Sequence, residues 1–593
     1  MKDRSQFIGI SLVLCALILM FNVGGRQGQR ATQYARTAEI EATEFDAGGT
    51  TVGSSDGNGD CVSINRCDGI HGERLFRIEN DVLEVVISDV GGAIKSAALK
   101  KYRATQDGQD PVIFNDGSTA NAMAMSFGPD DSVKFPVSGK FDVTEATETS
   151  VKLVKSMENG CSVMRKYSIV GRDGSGGDGY VVTHEISVEN VAKFPVNVGI
   201  LSLFLGTMPA TTGDSSGDYL NFGAFDGKKD CFVKLRDFKA SNGVFGFGKK
   251  AERKKIFATK RILWGSVKNQ FFTAILTPEV QADGYVAWPT LVKNKLSNKM
   301  EEGVAAAARF NVGVLDGGGK WTLRSNFYIG PKDFSRLSAF DKEQDRVMQF
   351  GFFGSISELL LRLMLKIHSL VPNWGLTIIV LTTIVKLLLW PLTNAQVRSS
   401  KKMASIQGPL KLIKEKFKNN PQKLQAETLK LFKENRINPA AGCLPIFIQI
   451  PIFFGLYYML RTSSDLRFAH FLWISDLSLP DTMVRVGNFP INILPLIMGV
   501  TMFWQMHMTP IPAADNSQRM MFKLMPAIFL LCCYNFPSGL VLYWTVQNLL
   551  TIAQQLTMSR SGAVGVPFAS AGKGKEFVRV RNRRAPRTTK RRK

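Results

Sequence analysis

The stretch TIIVLTTIVKLLLWPL, residues 377–392, decides how the rest of this chain is read, because it sets one charge, Lys386, inside an otherwise uncharged apolar run. Extended back to Trp374, the segment 374–392 approaches the ~20 apolar residues that cross a hydrocarbon core. Working outward from it, five further segments repeat the pattern: 7–23, 443–460, 489–504, 524–537 and 540–558. The expected fold class is a polytopic α-helical membrane protein with six transmembrane helices, carrying an all-β exported domain. A chain of 593 residues that is 45% apolar and 10% aromatic is too apolar for a solvated coil. Its eight cysteines are too sparse for a disulfide scaffold.

The formal charge of +24 is unevenly placed. Residues 24–350 hold 41 basic and 40 acidic side chains, a net of +1. Residues 396–440 hold eleven basic and three acidic (+8), and residues 559–593 hold twelve basic against Glu576 alone (+11), so these two segments supply 19 of the 24 charges. Under the positive-inside rule the 396–440 loop is cytosolic. Crossings three to six then return the basic tail to the same side, and the N-terminus, with Lys2 and Arg4, is cytosolic too. The loop 463–486, with Arg467 and Arg485 against three Asp, suits the outside, as does the large near-neutral domain. Residues 1–23 read as an uncleaved signal-anchor helix. A cleaved signal peptide is the alternative, but no small-x-small site precedes Gly24–Gly25.

Residues 24–70, rich in Gly, Ser, Thr and Asp, read as a flexible tether. Residues 71–350 hold short β-rich runs such as LEVVIS at 83–88, YVVTHEISVE at 180–189 and ARFNVGVL at 308–315. Separated by Gly, Asp and Asn clusters, they predict a large antiparallel sandwich. Cys61, Cys67, Cys161 and Cys231 fall in this exported part, and no bridge is assigned among them. In the segment 351–372, Glu358, Arg362, Lys366 and Ser369 draw one polar stripe along an apolar helix, as expected of an interfacial amphipathic helix. The alternative is the start of a long bent span. Within the loop 396–440, Met403, Ile406, Leu410, Ile413 and Phe417, then Leu424, Thr428 and Leu431 after Asn419–Asn420–Pro421, predict two helices in an antiparallel hairpin. The tail 559–593 has no apolar periodicity and reads as disordered.

Polar groups inside the spans are the candidate site. Lys386 lies eight residues before Asn394, or ~12 Å from the cytosolic end at 1.5 Å per residue. A Lys at the bilayer centre costs about 2.5–3.5 kcal/mol on insertion scales. Two readings offset that cost: snorkelling of the long stem, or a water-filled cavity in which the ammonium hosts acidic or polar segments. Thr382 sits one turn before Lys386, Gln449 lies inside the third crossing, and Trp544, Asn548, Thr551 and Gln555 step along the last. A shared hydrated interior would explain them, and so would helix–helix hydrogen bonding. The spans 524–537 and 489–504 are also short, which thins a bilayer locally.

The residues NWGLTIIVLTTIVKLLLWPLT (373–393), INPAAGCLPIFIQIPIFFGLYYML (437–460), FLWISDLS (471–478), LPLIMGVTMFW (494–504) and FPSGLVLYWTVQNLLTIAQQ (536–555) resemble the core of the YidC-type membrane protein insertases. SDVGGAIKSAALKKY (88–102), WGSVKNQFFTAILTP (264–278) and FYIGPK (327–332) resemble that family's Gram-negative form. The resemblance implies a five-helix insertase core over 373–558, a periplasmic supersandwich over 71–350, and a hydrophilic groove carrying a positive residue in the first core span. Lys386 stands where the family usually has Arg, which keeps the charge without the bidentate fork. Lys386, Thr382, Gln449, Trp544 and Asn548 are thereby the expected substrate-binding residues. The implied partners are nascent membrane proteins, the Sec translocon, and the ribosome through hairpin and tail. The tail suits ribosomal RNA or anionic lipids equally well, and no DNA partner is expected.

Neither a cofactor nor a metal is called for: no GxxxxGK[ST], HExxH or GxSxG motif is present. A membrane-anchored envelope enzyme or carbohydrate-binding protein is the rival reading. Its exported part offers only His71 and His184 as histidines. A transporter would show repeated halves, and the crossings show no such symmetry.

Overall fold

The computed structural model describes residues 66–560, except 69–71, 119, 129–138, 171–176, 212–213, 215–216, 241–250, 295–298, 436–443, 488 and 509–515. The expected first crossing at 7–23, Cys61, nearly all of the tether and the basic tail beyond residue 560 lie outside the described residues.

Alternating burial builds the exported part. Cys161–Ile169 buries every second residue almost without fault, the signature of a strand with one face on a core. Nine strands form the largest sheet, in the order Asp230–Lys234, Asn221–Phe225, Trp264–Lys268, Phe272–Pro278, Lys320–Pro331, Val181–Asn190, Cys161–Ile169, Ser150–Ser156 and Asp142–Ala146. A five-stranded sheet centred on Lys299–Leu315 and Val196–Phe204 packs against it, with Phe222 and Tyr285 rings 4.7 Å apart across the layers. A five-stranded meander from Arg66–Asp68 to Pro111–Phe114 completes the layers, its Phe114 ring 6.0 Å from Phe327 of the large sheet. Among the described residues every strand pair is antiparallel. Cys161 is buried and Cys231 exposed, both as free thiols.

His184 and Glu185 point to opposite sides of their strand. Glu185 pairs with Arg324 at 3.1 Å on the surface. His184 is fully buried, its Nε2 3.1 Å from Arg165 Nη2, and that guanidinium also donates to the carbonyls of Gly91 and Met123. The pair spans two neighbouring strands of the large sheet and ties them to the loops at Gly91 and Met123. Among the described residues no cluster of three or more His, Cys, Asp or Glu is placed to hold a metal ion.

Helices then take over: α1 (Gly354–Leu370), α2 (Trp374–Leu388), α3 (Trp390–Ser405), α4 (Gln407–Lys416), α5 (Pro421–Glu434), α6 (Leu444–Thr462), α7 (Ile493–Met508), α8 (Asn516–Cys533) and α9 (Ser538–Arg560). The α1 stripe is present, with Arg362 Nη2 2.8 Å from Glu358, while Leu360, Leu361, Met364 and Ile367 are buried. Pro372 breaks the chain after α1, and the Asn373 side chain caps α2 by accepting from the Leu376 N–H at 3.0 Å.

Several expected boundaries shift. The segment 374–392 is not one straight helix: α2 and the start of α3 meet at a bend of 58°. Pro391, which has no N–H to give to the preceding turn, accounts for the break. The first arm of the 396–440 hairpin is divided at Ile406, just before Gly408–Pro409, for the same reason. Residues 489–492 are not helical. They form a strand, Phe489–Asn492, paired with Thr482–Val486. Among the described residues no single helix is long and apolar enough to cross a membrane. The bent pair Trp374–Leu388 with Trp390–Ser399 meets the length and composition together, and Ile493–Met508 and Leu524–Cys533 are shorter apolar helices.

Candidate functional site

The last helix, α9, is the hub of the helical half, packing on α7, α2 and α6. Close approach at its start rests on Gly539, where a Cβ would lie 3.1 Å from the Leu477 carbonyl oxygen. Across from it, a Cβ on Gly375 of α2 would fall 2.1 Å from the Phe471 ring, so only glycine admits that ring over the helix start. The loop after α6 thus covers this end. Ser538 Oγ donates to the carbonyls of Asp476 and Leu479, and the Gly539 N–H to that of Leu477.

Lys386 is 3% exposed, and its Nζ donates to Thr551 Oγ1 at 2.8 Å. The Thr551 hydroxyl in turn donates to the Gln547 carbonyl one turn back. Among the described residues no carboxylate forms an ion pair with Lys386, and an ammonium has three donors. One turn from Thr551, the buried Gln547 Oε1 has no hydrogen-bond partner among the described residues. Donors of the α2 ammonium and an acceptor of α9 are thus both left over beside the same two-helix contact. Thr382 is buried nearby but its hydroxyl is committed to the Ile378 carbonyl of its own helix at 2.6 Å.

The other expected residues face different neighbours. Asn548 donates to Thr501 Oγ1 of α7 at 3.2 Å. Gln449 of α6 donates to the Tyr543 hydroxyl at 2.7 Å. Trp544 packs its ring between Phe453 of α6, 5.0 Å away and edge-on, and Phe529 of α8, 4.4 Å away. Toward the basic 396–440 loop, Gln554 Nε2 donates to Thr393 Oγ1 and Asn394 Oδ1, tying α9 to α3 at 2.8 and 2.7 Å. The five expected residues do not converge on one point: polar groups leave α9 in all directions, one to each neighbour. Thr551 carries the contact to Lys386, and Gln554 carries the one to the start of α3. The 3.6-residue spacing of polar positions on α9 was the signal for them, but it does not say which helix each one meets.

A second set of polar groups joins the helices to the exported domain. Arg467 Nη1 and Nη2 donate to the carbonyls of Arg103 and Ala104 at 2.5 and 2.7 Å, and its guanidinium lies 5.4 Å from the Phe272 ring centre. Gln270 donates to the Arg461 carbonyl at 2.9 Å, and Gln106 to that of Ser475 at 3.1 Å. Burial at this junction holds the Asp214 and Asp465 carboxyls up at about 6 and pushes the Lys332 ammonium down to about 7.

Two family profiles divide the chain: "60Kd inner membrane protein" matches residues 366–563 and "YidC periplasmic domain" matches residues 75–363. A membrane protein insertase YidC of Endomicrobium trichonymphae is 36% identical over 51% of this chain, a match that spans 57% of that relative. That of Geotalea daltonii is 31% identical over 82% of this chain and 87% of its own length. A crystal structure of an active YidC insertase with its first transmembrane domain resolved covers 83% of this chain and 93% of its own, at 21% identity and a TM-score of 0.33.

Proposed function

Because this chain belongs to the YidC family of membrane protein insertases, we propose that it passes nascent hydrophobic segments from the cytosol into lipid beside a polar site centred on Lys386. The family is one of bacterial inner membrane proteins with a periplasmic domain, and its curated members are named insertases rather than enzymes. The observation that carries the reading is the Lys386 ammonium, buried among apolar helices with a hydroxyl rather than a carboxylate as its partner. A charge so placed costs free energy unless it is solvated or paired. It is therefore suited to receive a short acidic or polar flank while the adjoining apolar segment partitions into lipid. Gln547 Oε1 adds an acceptor for that flank, while Thr382, Gln449, Trp544 and Asn548 hold the surrounding helices in place.

The finer arrangement belongs to the same proposal. Six spans, with residues 7–23 as signal-anchor, put both termini in the cytosol and leave five helices as the core. A 16-residue α7 rises about 24 Å, short of a hydrocarbon core of about 30 Å; a bilayer thinned beside it lowers the barrier for hydrophilic chain. Partitioning of the apolar segment supplies the drive, with no nucleotide. The insertase acts alone or with the Sec translocon, the 396–440 hairpin and the tail meet the ribosome, and the tail also meets anionic lipids.

The test is depletion of the protein and complementation with Lys386→Arg or Lys386→Glu, following insertion of a small client with an acidic translocated flank. Arg is expected to retain most insertion and Glu to lower it at least tenfold. Equal insertion by the two would remove the electrostatic role. Crosslinks from positions 386 and 544 to a stalled nascent chain are expected on the same reading.

A further inference from the structure

The two-stranded hairpin between α6 and α7 is built against the logic of a water-exposed turn. Met483, Val484, Val486 and Phe489 are 52%, 57%, 64% and 62% exposed, and Leu472 and Trp473 beside them are 72% and 41% exposed. A lone two-stranded hairpin is marginal in water, and one with apolar side chains open on it gains nothing from water. Yet this one is held firmly at its base. Asn492 Nδ2 donates to the Tyr534 carbonyl at 2.7 Å, the Tyr534 hydroxyl donates to the Pro490 carbonyl at 2.7 Å, and Thr482 Oγ1 donates to Asn492 Oδ1 at 2.8 Å. Asp481 accepts from the Leu494 N–H at 2.6 Å, fixing the hairpin to the first turn of α7. The Phe489 and Tyr534 rings stack at 5.6 Å.

Its position selects the occupant of that apolar surface. The hairpin runs directly into α7, whose Leu496, Val500, Phe503 and Trp504 are 44%, 68%, 59% and 55% exposed. One apolar surface thus continues from the hairpin down the helix. The same loop touches the exported domain through Arg467 and Ser475, so the hairpin lies at the periplasmic end. We propose that it is a membrane-embedded anchor: its apolar side chains sit in the outer leaflet at the headgroup boundary, with the exposed Arg485 at lipid phosphates. A strand of five residues is about 16 Å long, enough to complete the apolar height that α7 lacks. The hairpin then holds the periplasmic ends of α7 and α8 at a fixed depth.

This rests on the membrane placement of α7 in the proposed function, and the test separates the two. An environment-sensitive fluorescent amino acid is placed at Val486, or at Val500 as control, in the full chain reconstituted into vesicles of phosphatidylethanolamine with phosphatidylglycerol. The expected result is quenching of both probes by nitroxide-labelled lipids, the Val486 probe most by labels near the headgroup, with several-fold protection from aqueous iodide at every protein-to-lipid ratio. Iodide access at 486 with lipid quenching at 500 overturns the anchor alone, and protection at 486 that vanishes on dilution in lipid identifies a second copy and overturns it too. Absence of lipid quenching at both positions overturns the membrane placement itself.

Discussion

Lys386 has one identified acceptor, Thr551 Oγ1, supplied from a helix far along the chain. Thr551→Val is expected to weaken the α2–α9 contact by about 0.6–1.7 kcal/mol, the range of interhelical hydrogen bonds in membranes, while Thr551→Ser leaves it intact; unfolding in mixed micelles measures the difference. In the exported domain, burial and then the adjacent Arg165 guanidinium push the His184 imidazole well below its ordinary 6.5. The unfolded chain takes up a proton there that the folded one refuses. Stability is therefore full above about 6.5 and is lost as pH falls below it, by up to about 1.4 kcal/mol per unit. His184→Gln, which keeps an acceptor for Arg165 and does not titrate, should flatten that part of the pH dependence in urea titrations between pH 7 and 5. At this scale the sequence displayed groups in the wrong solvent but not their partners. Lys386 stood out as a charge in an apolar run, whereas Thr551 looks like any helical threonine. Gln449 was visible in its span, and the Tyr543 hydroxyl that receives it was not.

The elements were legible where a period runs uninterrupted, as in Leu83–Ser88 and α1. Reading failed where single residues override composition. Phe489–Asn492 is as apolar as the helix that follows, but the Asn492 side chain is held by the Tyr534 carbonyl and Pro490 cannot donate, so the segment pairs as a strand. Likewise Pro391 bends a run that composition alone reads as straight. Two arms of 15 and 10 residues meeting at 58° put their far ends about 33 Å apart, against about 37 Å if collinear. Spin labels at positions 374 and 399 should report a lengthening of about 4 Å in Pro391→Ala. In the 396–440 hairpin, Asn420 Oδ1 accepts from the Lys423 N–H at 3.1 Å and Pro421 begins α5. Asn420→Ala should cost about 1 kcal/mol of local stability, seen as roughly fivefold faster amide exchange in the first turns of α5.

Over the whole molecule, charge counting separated the near-neutral exported domain from the basic segments 396–440 and 559–593, but said nothing of how that domain meets the helices. The junction is made largely by side chains reaching backbone carbonyls more than 360 residues away, as from Arg467 to Arg103, and no periodicity reports such contacts. Arg467→Ala should loosen it, so that limited proteolysis between the domain and α1 runs several-fold faster while each half keeps its own unfolding transition. Removing residues 573–593 takes away eleven Lys and Arg. Ribosome co-sedimentation of that truncation should fall at moderate salt and lose much of its salt dependence; unchanged binding would leave the 396–440 loop as the cytosolic contact.

The central position of α9 also imposes an order in time. Lys386 and its hydroxyl partner are 165 residues apart in the chain, which at about 5–20 residues per second is roughly 8–33 s of synthesis. Throughout that interval the newly made α2 carries an ammonium whose acceptor does not yet exist. During its own biogenesis the chain is thus a difficult passenger of the kind it is proposed to carry, and copies already in the membrane are suited to shelter each new one until its last helix arrives.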